Sequence, residues 1–141
     1  MLQTLGGNPR NFKKLDLHSL PSPCFVIDKK ALKHNLEILQ KVKHETNTKV
    51  LMALKAFSTF SLAPLISNYL DGCCSSGLFE AKLAKKYFTG EISTFSPAYK
   101  KEEFHEIATI SDHVIFNSCF VAGVLEIFCG LFWSCFLMIM L

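Results

Sequence analysis

The 141-residue sequence lacks the signatures of several common protein classes. Its six cysteines, Cys24, Cys73, Cys74, Cys119, Cys129 and Cys135, include no C-x-x-C pair and no histidine at zinc-ligand spacing, so no metal site is expected. Net charge is only +3, and the doublets Lys13-Lys14, Lys29-Lys30 and Lys85-Lys86 are scattered rather than gathered in a stripe, which argues against a nucleic-acid partner. Residues 1–20 are mixed and polar, without the basic, apolar and small-residue succession of a secretory leader. A reducing cytoplasmic setting without a disulfide framework is therefore expected. Neither G-x-G-x-x-G nor G-x-x-x-x-G-K-[ST] occurs, which removes the main support for a nucleotide-binding open sheet.

What is present is an alternation of short apolar runs and amphipathic stretches. Leu20-Pro21-Ser22-Pro23 enforces an extended entry, and Cys24-Phe25-Val26-Ile27 reads as a first buried strand that ends at Asp28. Asp28 suits a helix N-cap, and Leu32, Leu36 and Leu39 line one face of a helix running to about His44. Val50-Leu51-Met52-Ala53-Leu54 forms a second strand ending at Lys55. Ser61 is expected to cap the next helix, with Pro64 in its first turn and Asp71-Gly72 closing it.

Cys73-Cys74-Ser75 makes a third strand. Gly77 then opens a helix with Phe79, Leu83 and Tyr87 on one face, and Gly90 ends it before the fourth strand, Ile92-Ser93-Thr94-Phe95-Ser96. A helix carrying Phe104, Ile107 and Ala108 leads to a fifth strand, His113-Val114-Ile115-Phe116-Asn117. Continuous apolar strands alternating with helices predict an α/β protein with a parallel sheet covered by helices. Two architectures fit at this point: a doubly wound sheet, or a TIM barrel of which about five of eight strand-helix units are present, since a full barrel takes about 250 residues.

In either fold, chemistry gathers at the carboxyl ends of the strands. That rule selects Asp28, Lys55, Ser75-Ser76-Gly77, Ser96-Pro97-Ala98-Tyr99 and Asn117-Ser118. Lys55 is the most unusual, because it ends a buried run and is followed by Ala56-Phe57, apolar neighbours that disfavour a charge and favour an amine able to attack an aldehyde. The competing reading is a lysine that snorkels to water. Ser75, Ser76 and Gly77 present hydroxyls and N–H groups suited to a cofactor, or serve only as a helix cap, and Glu80 complements the same helix start. Tyr99 and Asn117 are placed to hydrogen-bond a ligand or to be ordinary loop residues. His18, His34, His44, His105 and His113 receive no role.

The residues at these positions carry a resemblance. Pro23-Cys24-Phe25-Val26-Ile27-Asp28, Ala53-Leu54-Lys55-Ala56-Phe57-Ser58, Asp71-Gly72 with Ser75-Ser76-Gly77-Leu78-Phe79-Glu80, Ser96-Pro97-Ala98-Tyr99 and Ile115-Phe116-Asn117-Ser118 resemble, in order and spacing, the carboxynorspermidine/carboxyspermidine decarboxylase family. These are polyamine-pathway enzymes of the pyridoxal-phosphate fold-type III group. The resemblance implies a partial (β/α) TIM barrel of the alanine racemase N-terminal type, over residues 20–118, after a polar extension at 1–19. It implies pyridoxal 5'-phosphate as cofactor, Lys55 as the lysine that holds it and Ser76 as a second cofactor-binding residue. It also implies a small-molecule polyamine substrate, a homodimer in the complete enzyme, and decarboxylation to norspermidine or spermidine. The alternatives are a non-catalytic pyridoxal-phosphate-binding or regulatory protein and a non-functional fragment. The family's phosphate-binding loops and acid-catalytic residues come from later sequence than this.

Composition changes abruptly after Ser118. Residues 119–141 have Glu126 as their only charge and are long and apolar enough to span a bilayer. The stretch begins inside a family motif and has no Lys or Arg flank. It is therefore read as a frame error or intron read-through, against a membrane anchor or a divergent barrel helix. On that reading the chain alone is expected to be inactive. Full-length transcript sequencing is expected to show barrel-like coding sequence after Ser118; a transcript that reproduces the apolar tail and its stop would contradict this.

Overall fold

A computed structural model describes Thr4, Gly6 and residues 8–117. The apolar stretch at 119–141, with Ser118, lies outside the described residues. The chain divides into two compact units between Lys49 and Val50.

The first unit is built around one helix, α1, Lys29–Thr46. Asp28 starts it as expected, its Oδ1 accepting the N–H groups of Lys30 and Ala31 at 2.9 and 3.1 Å. Asn47 ends it in the left-handed conformation at φ 53°, which asparagine tolerates better than most residues. Leu36 is its buried residue, and Lys33–Glu37 and Lys41–Glu45 pair at i,i+4 on its exposed surface. Residues 24–27 do not form the expected strand. A strand exists only where a neighbour takes up its N–H and C=O groups, and this run has no ladder partner among the described residues; Phe25 is fully exposed.

The second unit contains β1 (Leu51–Ala53), α2 (Ala63–Ser67), β2 (Gly72–Ser75), α3 (Leu78–Tyr87), β3 (Glu91–Phe95), α4 (Lys101–Ile110) and β4 (His113–Ile115). The last four strands expected from sequence are all present, so among the described residues four strands rather than five form the sheet. They are parallel and lie in the order β1-β2-β3-β4. This order separates the two architectures that periodicity left open. A doubly wound sheet reverses direction from its first strand and puts helices on both faces. Here each strand is added beside the last, and Ala84 of α3, its C-cap Phe88 and Ile110 of α4 pack in one cluster on one sheet face. That is a section of a (β/α) barrel wall.

Leu54, Cys73, Ala84 and Ile92 form this cluster, with Met52, Phe88 and Ile110 at its margin. The buried face of α3 differs from expectation. Leu78, Ala81 and Ala84 point inward, whereas Phe79 is 83% exposed and Tyr87 stacks outside on Phe60 at 4.6 Å. Two stripes of α3 are apolar, and the alanine stripe wins because small side chains let the helix lie closer to the sheet. In α4 the expected face is correct: Ile107 is buried and Phe104 and Ala108 are half-buried. Ser61 does not cap α2; it lies in a 3₁₀ turn, Phe60–Leu62, and the N-cap residue is Leu62.

The amino ends of the strands are pinned by one device used twice. Asp71, just before β2, accepts the Val50 N–H at 2.8 Å, and Asp112, just before β4, accepts the Ile92 N–H at 2.8 Å. Each carboxylate supplies a rung where its parallel ladder begins. Close approach there also explains two glycines. Gly72 and Gly90 have φ of +157° and +95°, and a Cβ on either would run into backbone, Glu91 O in one case and Asp71 O in the other.

Gly72→Ala and Gly90→Ala are each expected to destabilise the fold by ~2 kcal/mol or more in urea denaturation. Gly77→Ala, whose Cβ would meet nothing within 4 Å, should change stability by less than ~0.5 kcal/mol. Equal effects at the three positions would contradict the account of the pinned strand ends.

Candidate functional site

The site begins with the alternation of side chains along β1. Leu54 is 1% exposed in the helix-facing cluster, and its N–H still donates to the Cys74 carbonyl at 3.0 Å, one residue beyond the strand. The chain then turns tightly, with the N–H groups of Ala56 and Phe57 both donating to the Ala53 carbonyl at 3.0 and 3.2 Å. Lys55 sits in this turn and is exposed. Its amine is not enclosed by apolar side chains as expected, because Ala56 is exposed as well.

Cys74 is the neighbour that sequence reading passed over. Ala53 pairs with Cys74 in the β1–β2 ladder, so the period of two places Cys74 on the face opposite the helix-packed Cys73. Its thiol is raised above its ordinary value by burial; the nearby Lys55 ammonium lowers it and the nearby Glu80 carboxylate raises it further. Lys55 and Glu80 are thus each within electrostatic reach of Cys74 at the carboxyl ends of β1 and β2. The signal that could have found Cys74 was available: counting back by two from Ser76 reaches it.

Ser76 is exposed, and its N–H donates to Glu80 Oε2 at 2.7 Å. Glu80 lies in the first turn of α3, where its charge complements the helix dipole, and it reaches back over Gly77, the N-cap residue. This main-chain donor is therefore already occupied by a carboxylate. Ser75 is separate from the site: it is buried on the helix side, in a hydroxyl chain to Thr94 and Ser111 with spacings of 2.6 and 2.7 Å. Ser76, Gly77, Phe79, Glu80, Lys100 and Glu103 line an open cleft of about 280 Å³ between the β2–α3 and β3–α4 loops.

The other candidates have local duties. Asp28 caps α1 in the first unit. Tyr99 returns its hydroxyl to the backbone, donating toward the carbonyls of Thr94 and Ile115 at 2.9 and 2.8 Å and accepting the Ser96 N–H at 3.1 Å. Its ring meets Phe104 and Phe116 edge-on at 5.5 and 5.4 Å. Burial is the main cause that pushes its phenol up to about 12; backbone hydrogen bonding lowers it, and Cys74 adds to the rise. Asn117 is exposed. Among the described residues, no group of His, Cys, Asp and Glu is arranged to hold a metal ion, and no helix is long and apolar enough to cross a membrane.

The donor set fits an aldehyde-bearing cofactor at one point, an exposed primary amine on the strand-end face near a half-buried, neutral thiol. It does not assemble a phosphate cradle among the described residues, since the Ser76 N–H faces Glu80.

Burial of Cys73 raises its thiol from 9.0 to about 12, with Cys74 adding to the rise, and the Tyr99 phenol rises from 10.0 to about 12. Both groups hold their protons more tightly in the folded state, so their stabilising contribution is complete below their unfolded values and is lost as pH climbs through the folded ones. The urea midpoint is expected to fall between about pH 9 and 12; a midpoint that is flat or rising over that window would contradict these buried acids.

No family model matches the chain. Known proteins do. Over 99 residues it is 42% identical to a carboxynorspermidine/carboxyspermidine decarboxylase from Campylobacter jejuni and 40% identical to one from Herminiimonas arsenicoxydans, in each case covering 70% of this chain. Over 111 residues it is 36% identical to a carboxyaminopropylagmatine decarboxylase from Synechocystis, covering 79% of this chain. The fold matches the crystal structure of the Campylobacter jejuni carboxynorspermidine decarboxylase complexed with norspermidine, with a TM-score of 0.72 and 39% identity, over 76% of this chain and 29% of that one. The chain spans 26–27% of the length of the curated relatives it matches.

Proposed function

We propose that this chain, homologous to about a quarter of the carboxynorspermidine/carboxyspermidine decarboxylases, supplies the cofactor-holding lysine of a pyridoxal-phosphate-dependent decarboxylation of a carboxylated polyamine. The observation that carries the reading is the placement of Lys55: exposed, at the carboxyl end of β1, in electrostatic contact with Cys74.

Lys55 Nζ would hold the cofactor through its aldehyde carbon. When bound, pyridoxal phosphate supplies an electron sink for the charge left as CO₂ departs. The chain's own residues have distinct tasks. As a free amine on the same face, Lys55 would also hold a proton there. Cys74, its thiol raised by burial, stays neutral near pH 7 and leaves the amine without a thiolate partner. The Ser76 hydroxyl, at the mouth of the β2–α3 loop, is the group this residue has to contribute, because its N–H is held by Glu80.

The substrate follows from the relatives' chemistry. The proteins compared act on carboxynorspermidine, carboxyspermidine or carboxyaminopropylagmatine by name, and one was crystallised with norspermidine. A carboxylated polyamine is the class common to them, and we assign it to this chain. A homodimer in the cytoplasm is the corresponding assembly and setting.

Incubation of the full chain with pyridoxal 5'-phosphate, borohydride reduction and peptide mass spectrometry should place the adduct at Lys55, and Lys55→Ala should remove it together with the visible absorbance of the lysine-bound cofactor. Adducts spread evenly over exposed lysines such as Lys85 and Lys101 would overturn the assignment.

A further inference from the structure

Tyr99 is more constrained than any other polar side chain near the site. Its hydroxyl has one hydrogen, yet two backbone carbonyls face it, Thr94 O at 2.9 Å and Ile115 O at 2.8 Å, while its oxygen accepts the Ser96 N–H at 3.1 Å. With three backbone partners the phenol has little capacity left for a substrate. The place of these contacts gives them meaning. The β3–β4 ladder ends at the pair Phe95 and Ile115, and Tyr99 joins β3 to β4 at that level, adding a side-chain rung where the backbone ladder stops. Ser96 Oγ donates to Ala98 O at 2.9 Å, so the loop from Ser96 to Tyr99 is closed on itself and tied to both strands.

This rung lies on the side of the sheet that carries the candidate site. Ala53 pairs with Cys74 and Cys74 with Ser93, so the extended register puts Lys55 and Ser76 in the same row as Phe95 and Ile115. The Tyr99 phenol is also within electrostatic reach of Cys74, which is in reach of Lys55.

We infer that Tyr99 is a positioning residue for the Lys55 site, its hydroxyl locking the carboxyl ends of β3 and β4 as the wall that faces Lys55 and Cys74 across the strand-end row. The inference rests on the proposed role of Lys55. Without the hydroxyl, the Ser96 N–H and two carbonyls lose their partner at the edge of the site, and the ends of β3 and β4 are free to separate. The ring packing against Phe104 and Phe116 remains.

The test is the borohydride-trapped pyridoxal 5'-phosphate adduct at Lys55 of the full chain, measured against adducts at exposed Lys85 and Lys101. Tyr99→Phe is expected to keep its far-ultraviolet circular dichroism and lower the Lys55 share about tenfold, the equivalent of one lost hydrogen bond. Ile107→Val, which trims a buried α4 side chain away from the site, should lower Tm and leave the Lys55 share unchanged.

An unchanged Lys55 share in Tyr99→Phe overturns the inference and leaves the Lys55 assignment standing. A similar drop in Ile107→Val overturns it too, because general destabilisation would then explain both. Loss of secondary structure in Tyr99→Phe assigns the hydroxyl to the fold and overturns the positioning role. Absence of a Lys55 adduct in the unmodified chain overturns the Lys55 assignment, and this inference with it.

Discussion

Burial of Leu54, Cys73 and Ile92 against Ala84, Phe88 and Ile110 is the constraint on which the site depends. Successive side chains of a strand point to opposite faces, so committing these residues to the helix side commits their neighbours to the other. Lys55 follows Leu54 and Cys74 follows Cys73. Each is delivered there by the hydrophobic demand of the residue before it. A one-residue slip in register would bury the amine and expose the leucine.

Register in a parallel sheet must be set by something besides a hairpin turn. Here it is set at the amino ends, by Asp71 and Asp112 acting as side-chain rungs and by glycines that let the backbones approach. At the carboxyl ends Tyr99 has the corresponding role for β3 and β4. The two edges therefore differ in chemistry as well as in position. Carboxylates close the amino edge, while the other carries an amine, a neutral thiol and a neutral phenol beside the Glu80 carboxylate, groups compatible with carbonyl and proton chemistry.

The site is also defined by what its helix start does with its own donors. The first turn of α3 is a natural anion site, but Glu80 turns back and takes the Ser76 N–H. An internal carboxylate answers the helix dipole, which leaves the lysine as the proposed point of attachment for a cofactor.

Four strands, their parallel direction and the strand-end position of Lys55 were legible in the sequence, because they rest on local properties: apolar run length, Gly and Pro punctuation, and N-cap chemistry at Asp28 and Gly77. The motifs ALKAFS, DG with SSGLFE, and SPAY also carried the resemblance to the carboxynorspermidine/carboxyspermidine decarboxylases, since order and spacing carry information that composition lacks. Other features depended on which surfaces meet. Residues 24–27 have strand propensity but no ladder partner among the described residues, so propensity misled. The sequence of α3 offers two apolar stripes, and only packing against the sheet selected the alanines over Phe79 and Tyr87. The saturation of the Tyr99 hydroxyl and the proximity of Cys74 to Lys55 join residues 5 to 19 positions apart through register, and no local pattern encodes that register. Tertiary structure decided which face each strand turns inward, and therefore which polar groups share the site.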